Sequence, residues 1–435
     1  MGLVALFACF FVIMIFLKFD RKEWPGFSNW LWIPLLWLLF TSTRIISILF
    51  PIQSNQEIIS QYLEGNVYNR VIFSLLILIA LAVLLKNKNI FNIKKKINTW
   101  MIVLYLFALL SMMWAVYSLV SFKRWIMIFG HLLMVYLVFN HEDNQKAFEH
   151  LLRRYFFIIT TLSLLLVKFF KNLGFERTVH GTKVWAGVMT HKNELGAACA
   201  LAIIFAIWRF IKNKNWTIMF EVVVLLISFY LMIRSGSATA IILALLGILL
   251  LFVVFKYDIN KIKKLFAVYI IAFILIMIIW QDFFSNTLTS LFSALGRETT
   301  LTGRIPMWRD LIKMGSKHFW LGCGYENFWL TNFSQVWSKY SFRPNQAHNG
   351  YIEIFLNLGL IGFILFMIYL INGFRKVIGL MEGDKGFYGL IMVYVIMILF
   401  NNITEAFFLK PNLEWFLLLY MGVIGIESKD FTANT

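Results

Sequence analysis

The sequence predicts an all-α, polytopic membrane protein of about twelve to thirteen transmembrane helices, built as one integral membrane domain over residues 1–435. Composition is the first reason: 60% hydrophobic residues, 14% charged residues and a mean hydropathy of +0.76 exclude an ordinary soluble domain. The second is that apolar blocks long enough to cross a ~30 Å hydrocarbon layer recur along the whole chain. The third is that one long polar interval, residues 285–350, interrupts them late in the sequence.

The first block, residues 3–17, has no basic residue before it and no small-residue cleavage site after it, and Lys18, Arg21 and Lys22 follow directly. It reads as a retained helix with its N-terminus outside. Further spans are predicted at 30–50, 71–85, 99–117, 125–139, 155–170, 195–211, 217–233, 238–255 and 265–284, then at 351–371, 387–408 and 413–426. The last block is short, which leaves twelve spans as the alternative. Cys9, Cys199 and Cys323 are isolated and imply neither disulfide nor zinc.

Lys and Arg fall on alternate loops, beginning with Lys18, Arg21 and Lys22 and continuing through Lys94-Lys-Lys96, Arg153-Arg154, Arg209, Lys264 and Arg375. Those loops are predicted to face the cytoplasm, which explains the net charge of +18 without a nucleic-acid partner and places residues 285–350 outside. The rule gives no reason for Lys123, Arg124, Lys192, Arg234, Arg304, Arg309 or Arg343 on the outer side. Lys339 and Arg343 read as solvated loop residues. Arg124, Arg234 and Arg304 lie at helix ends or beside turn motifs, where they point to an anionic ligand.

Within the polar interval, Pro306 suits a first helical turn, and Trp308, Leu311, Ile312 and Phe319 fall near one face, with Arg309, Lys313 and Lys317 on others. The pattern predicts an amphipathic helix at the lipid headgroup boundary. Four short motifs sit at outer helix ends: Phe122-Lys-Arg-Trp125, Thr190-His-Lys-Asn-Glu194, Arg234-Ser-Gly-Ser-Ala-Thr239 and His348-Asn-Gly-Tyr-Ile-Glu353. Ser235, Ser237 and Thr239 suit either phosphate oxygens or plain N-capping. His131 reads as a packed residue within a span, and His141, His150 and His318 as ordinary surface; His180 has no motif around it. His191 and His348 stand apart, each with an asparagine within two residues where a polar loop enters a helix. No zinc-binding histidine pattern or paired catalytic carboxylates are present in the sequence, so neither a metal nor another cofactor is expected.

The run Thr302-Gly-Arg-x-x-x-Trp308, the Gly322-x-Gly-Tyr325 turn and His348-Asn-x-Tyr-x-Glu353 followed by Asn357-Leu-Gly359 resemble, in order and spacing, the O-antigen ligase and polymerase superfamily of membrane glycosyltransferases. The likeness spans roughly residues 185–370, and the stretch from Trp114 to Arg124 is similar to one that ends in an arginine in relatives. It implies a GT-C-like enzyme in the bacterial inner membrane, with its active site facing the periplasm and residues 285–350 forming a periplasmic loop. The donor would be an undecaprenyl diphosphate-linked glycan, and the acceptor a lipid A-core sugar or a growing glycan. Carried over by motif, His348 would be the catalytic base or the residue that orients the acceptor. Arg304, Arg124, Arg234 and Lys192 would hold the diphosphate, supported by His191, Asn193, Ser235, Ser237, Asn349 and Glu353. Arg234 precedes the serine turn, whereas many relatives place an arginine inside it.

The residues suit that chemistry independently. Fixed guanidinium groups neutralise the charge that grows on a departing diphosphate without a metal, and a histidine accepts a sugar hydroxyl proton near neutral pH. A ligase is the leading expectation, with a repeat-unit polymerase using the same donor as the alternative. A polysaccharide-lipid transporter, the alternative of another class, would place its ionisable residues near the membrane midplane rather than at one rim.

Overall fold

A computed structural model of the chain describes residues 1–50, 67–86, 98–177, 181–212, 216–262, 264, 304–340 and 342–424. The predicted span at 265–284, the polar interval up to Gly303, the Lys94-Lys-Lys96 cluster and His180 lie outside the described residues. The described part is helical apart from a single two-stranded ribbon, β1 (Phe175–Arg177) against β2 (Lys183–Trp185). The chain is an all-α polytopic membrane protein. Its long helices are α1 (Gly2–Glu23), α2 (Trp32–Thr41), α3 (Val67–Lys86), α4 (Thr99–Leu110), α5 (Ser118–Phe139), α6 (Asn144–Phe169), α7 (Lys192–Lys212), α8 (Met219–Ser235) and α9 (Ala238–Lys256). They continue as α10 (Arg304–Gly315), α11 (Phe328–Lys339), α12 (Gly350–Leu380), α13 (Lys385–Asn401) and α14 (Leu413–Ile424). Among the described residues, seven helices (α1, α3, α5, α6, α7, α9 and α12) are long and apolar enough to cross a membrane. A helix pairs every interior backbone donor with its own acceptor, which is what an apolar segment needs in lipid.

Two predicted spans are interrupted, each for a local reason. The block at 30–50 breaks after Thr41: Thr41 and Thr43 turn their hydroxyls back onto Trp37 and Leu39 carbonyls, and the Arg44 N–H leaves the helix for the Val188 carbonyl at 2.9 Å. The block at 387–408 stops at Asn401. There the Asn401 and Asn402 amides donate to Glu414, and the Asn402 side-chain oxygen accepts the Phe407 N–H at 2.8 Å. What looked like the end of a membrane helix is therefore a folded loop, residues 402–412.

α12 is also broken, at Gly359, whose φ of 64° takes it out of helical geometry. The freed backbone is met by the Gly322 turn: Leu360 N–H donates to the Phe319 carbonyl at 2.8 Å, and Cys323 N–H to the Leu356 carbonyl at 3.1 Å. A Cβ on Gly322 would lie 2.4 Å from Asn357 backbone, and one on Gly359 would lie 2.4 Å from the Trp320 carbonyl oxygen. The two glycine motifs are thus two halves of one contact. Asn357 completes it, accepting the Asn327 and Phe328 N–H groups at 3.0 and 3.1 Å at the start of α11.

α10 is amphipathic, but its apolar face is not where the sequence pattern put it. Met307, Trp308 and Leu311 are buried against Phe328, Trp329 and Phe333 of α11, and the Trp308 indole donates to the Ala347 carbonyl at 2.7 Å. Ile312 and Phe319 are exposed. Ile312 sits at the margin of the buried stripe, and the helix ends at Gly315, so helical periodicity does not orient Phe319. The tryptophan face thus packs inside the protein instead of meeting headgroups.

Several cations that the alternating-loop rule assigned to cytoplasmic loops are buried. Arg153 bridges Asp20, Glu23 and Glu221 at 2.6–2.9 Å, Arg154 holds Asp20 at 2.6 Å, and Arg209 ties Glu149, Glu23 and Glu221 together. His150, expected at the surface, is buried with its Nδ1 2.7 Å from Asp20 and its ring stacked on Trp24. These groups join α1, α6, α7 and α8 at one end of the bundle. Removing one partner strands the others without water, a loss of about 3–5 kcal/mol. Arg153→Ala should therefore lose most of its folded yield in a thermal-stability assay of purified protein, whereas Arg21→Ala, at an exposed position, should melt with wild type.

Candidate active site

At the opposite end of α7 a second polar group is built around Glu405, in the 402–412 loop. Asn193 and Arg209 are sixteen residues apart on α7, about 24 Å at 1.5 Å per residue, which separates this group from the buried ion network. Glu405 Oε1 accepts the Asn193 amide at 2.7 Å and lies 3.7 Å from the Arg304 guanidinium. Its Oε2 lies 3.4 Å from His348 Nδ1. Arg304 also donates to the Thr404 carbonyl, so the start of α10 is clamped to this loop. The Glu405 side chain is 2% exposed, while Arg304 and His348 keep 17% and 24%; the carboxylate is sealed and its two partners are reachable.

Burial opposes ionisation of Glu405, but the His348 hydrogen bond and the charges of Arg304, His348 and His191 outweigh it and hold the carboxyl at about 2, below the ordinary 4.5. A carboxyl depressed in the folded state stabilises the fold above its unfolded value and loses that contribution as pH falls through its folded value. Glu405→Gln should consequently melt several degrees below wild type at pH 7, and the gap should close between about pH 4.5 and 2. Melting curves of the two proteins across that range check this.

His348 is held by its neighbours on both sides. Ala347 N–H donates to Glu353 at 2.9 Å, and Asn349 caps α12 by accepting the Tyr351 and Ile352 N–H groups at 3.0 and 3.1 Å. The Asn349 amide reaches the Ile403 carbonyl at 3.1 Å, and Gly350 N–H the Asn402 carbonyl at 2.8 Å. A Cβ at Gly350 would come within 2.4 Å of the Asn402 side-chain oxygen, so only glycine permits this approach. His348 itself has φ of 49°, a left-handed conformation that histidine adopts more readily than β-branched residues and that turns its ring toward Glu405.

The other sequence-predicted residues separate into distinct surroundings. His191 stands beside Glu194, 3.3 Å from its carboxylate, and adds its charge to the field at Glu405. Lys192 is half-buried at the first position of α7, and its backbone N–H donates to Glu176 at 3.0 Å. Ser237 caps α9 through the Ala240 N–H, and Ser235 donates to the Met232 carbonyl at 2.7 Å; both serines lie against Gly196 of α7. Their hydroxyls therefore act locally, as capping predicts. Arg234 is exposed, its guanidinium 4.9 Å from the Trp185 ring centre. Arg124 donates to the Glu326 carbonyl at 2.8 Å and lies 3.4 Å from its carboxylate. Glu353 is buried, holding the Trp329 indole at 2.9 Å and the Ala347 N–H, so it shapes the His348 loop from behind. Among the described residues, no three His, Cys, Asp or Glu gather as a metal site.

A sequence-family model described as O-antigen ligase matches residues 223–367, the stretch that carries Arg234, Arg304, His348, Asn349 and Glu353. That stretch is an O-antigen ligase domain, of the O-antigen ligase and polymerase superfamily. It is also similar to the exopolysaccharide production protein ExoQ of Rhizobium meliloti (strain 1021), at 23% identity over 285 residues, covering 63% of this chain. The match spans 64% of that relative, a little under two thirds of its length. The central carboxylate, Glu405, falls outside the matched stretch, as do Asn193 and His191. Sequence reasoning missed Glu405 because it sat inside a block assigned to a span. The available signal was an acidic residue, with Asn401-Asn402 before it, in an otherwise apolar segment, a combination lipid does not tolerate without a purpose.

Proposed function

We propose that the protein is a glycosyltransferase that moves a glycan from a polyprenyl diphosphate to a sugar hydroxyl at the outer face of the membrane. The observation that carries this reading is the convergence of Arg304, His348 and Asn193 on the sealed carboxylate of Glu405. With Glu405 on its Nδ1, the imidazole of His348 carries its proton there and presents the Nε2 lone pair to an incoming hydroxyl. The acceptor oxygen attacks the anomeric carbon, the bond from that carbon to the diphosphate oxygen breaks, and the diphosphate departs with the electron pair. The hydroxyl proton passes to His348 Nε2. Arg304 offers permanent charge and paired N–H donors to the departing oxygens. Lys192, Arg124 and Arg234 would supply further positive charge to the diphosphate.

Two acceptors fit this chemistry. O-antigen ligation to a lipid A-core sugar follows the description of the matching family, whereas the relative's name, exopolysaccharide production, favours a growing glycan as acceptor. Purified protein supplied with undecaprenyl diphosphate-linked glycan alone, and then with lipid A-core added, separates them. A ladder of lengthening lipid-linked products in the first reaction marks a polymerase; a single lipid A-core adduct in the second marks a ligase. No transfer in either reaction contradicts the proposal.

A further inference from the structure

The β1–β2 ribbon is fixed at the end of the bundle that carries the candidate active site, and its two faces differ. At its base the Ala186 and Gly187 N–H groups both donate to the Gly174 carbonyl at 3.0 Å, and the Arg44 guanidinium donates to the Leu173 and Gly187 carbonyls. The register pairs Phe175 with Trp185, Glu176 with Val184 and Arg177 with Lys183. Directly opposed residues of an antiparallel pair point to the same side, and successive pairs alternate. Glu176 and Val184 therefore share one face, where Glu176 accepts the Lys192 N–H in the first turn of α7, beside Asn193 and its bond to Glu405. Phe175, Trp185, Arg177 and Lys183 share the other.

That second face is cationic. Arg177 and Lys183 are exposed and directly opposed, and like charges so placed destabilise a ribbon, a penalty that an anion between them removes. Lys168 at the end of α6 and Arg234 at the end of α8 lie 5.5 and 4.9 Å from the centre of the Trp185 ring, and Lys168 also donates to the Tyr230 hydroxyl at 2.6 Å. Among the described residues none of these four cations is paired with a carboxylate. Loop topology gives no reason for the charge either: Lys168, Lys171, Arg177 and Lys183 stand against Glu176 alone within residues 168–183, on the side that the alternating-loop rule leaves poor in cations. The face suits an anion in water better than a lipid headgroup. Surfaces that enter the headgroup layer carry Trp, Phe or Leu outward, whereas positions 177 and 181–183 are Arg, Gly, Thr and Lys, and Trp185 is only 8% exposed. The water-borne molecule that the transferase reading brings to this end is a glycan, and a sugar carboxylate matches the paired donors of an arginine with the point charge of a lysine opposite.

We propose that this face of the ribbon binds an acidic sugar of the glycan chain, its carboxylate held between Arg177 and Lys183 in the positive field of Lys168 and Arg234. The inference deepens the transferase reading and rests on it only for why a glycan reaches the ribbon. The test uses full-length protein in phosphatidylcholine nanodiscs, as wild type, Lys183→Glu and the double variant Arg177→Gln with Lys183→Gln. Binding is titrated with a galacturonate hexamer, with neutral maltohexaose and with inorganic diphosphate. Wild type should prefer the uronate, and the double variant should bind it about tenfold more weakly with maltohexaose and diphosphate binding unchanged. Lys183→Glu replaces a like-charged pair with an opposite one, so it should melt no lower than wild type while losing at least as much uronate affinity as the double variant. That combination separates a lost ligand contact from a damaged fold. Equal uronate affinity in wild type and double variant, no preference of wild type for uronate over maltohexaose, or an equal loss for inorganic diphosphate overturns the proposal. A loss seen only in the phosphatidylglycerol retained by protein from mixed-lipid nanodiscs, read by native mass spectrometry, assigns the face to lipid and also overturns it. Failure of the transferase reading looks different: wild type transfers no glycan, yet its uronate binding persists and still depends on Arg177 and Lys183.

Discussion

His348→Ala is expected to lower glycan transfer by about 10² to 10⁴-fold, the range typical of a positioned general base, with membrane insertion and donor affinity retained. The imidazole is part-exposed and lies 3.4 Å from Glu405, while the backbone around it is fixed by Asn349, Gly350 and Glu353. Removing the ring therefore takes away a proton acceptor and leaves the loop in place. His318→Ala, in the short helical turn after α10, is the control and should transfer at the wild-type rate. Single-turnover transfer from purified lipid-linked donor, measured beside donor affinity, separates the outcomes. Full activity without the ring removes His348 from the chemical step, and loss of donor binding with no separate rate effect moves it to the diphosphate.

Arg304→Lys should lose most of its activity, at least about tenfold, although the charge is conserved. The guanidinium divides its donors between the Thr404 carbonyl and Glu405 while remaining 17% exposed toward ligand; an ammonium offers one compact charge and no planar fork. Since α10 is tied to the 402–412 loop through this residue, part of the loss should appear as weaker donor binding. Arg124→Lys should cost less, because Arg124 is joined to Glu326. Equal losses in the two variants would move the diphosphate site away from Glu405.

Much of this was legible in the sequence because membrane insertion leaves coarse signals. Long apolar blocks became α1, α3, α5, α6, α7, α9 and α12, and the polar motifs Gly322-x-Gly and His348-Asn-Gly mark close approaches, of Gly322 to the Asn357 backbone and of Gly350 to the Asn402 and Phe408 side chains. Hidden from hydropathy was anything that depends on long-range pairing. Glu405 meets Asn193 across 212 residues, and Arg209 meets Glu23 across 186, so neither the site's centre nor the buried ion network can be seen in a local window. The same blindness made Arg153 and Arg154 look like loop cations and His150 like surface, when each is paired with an acidic partner inside the fold. On α10 the periodicity identified a helix with an apolar face but not its partner, which proved to be α11 and not lipid.

The central claim, that Arg304, Glu405 and His348 form the transfer site, is tested most directly by determining the structure of the protein with a polyprenyl phosphonophosphate glycan that cannot be cleaved. The diphosphate analogue is predicted against the Arg304 guanidinium, with the anomeric carbon facing His348 Nε2 and Glu405 still closed behind it. A diphosphate bound at Arg124 or Arg234, with His348 and Arg304 out of contact with the ligand, would contradict the claim.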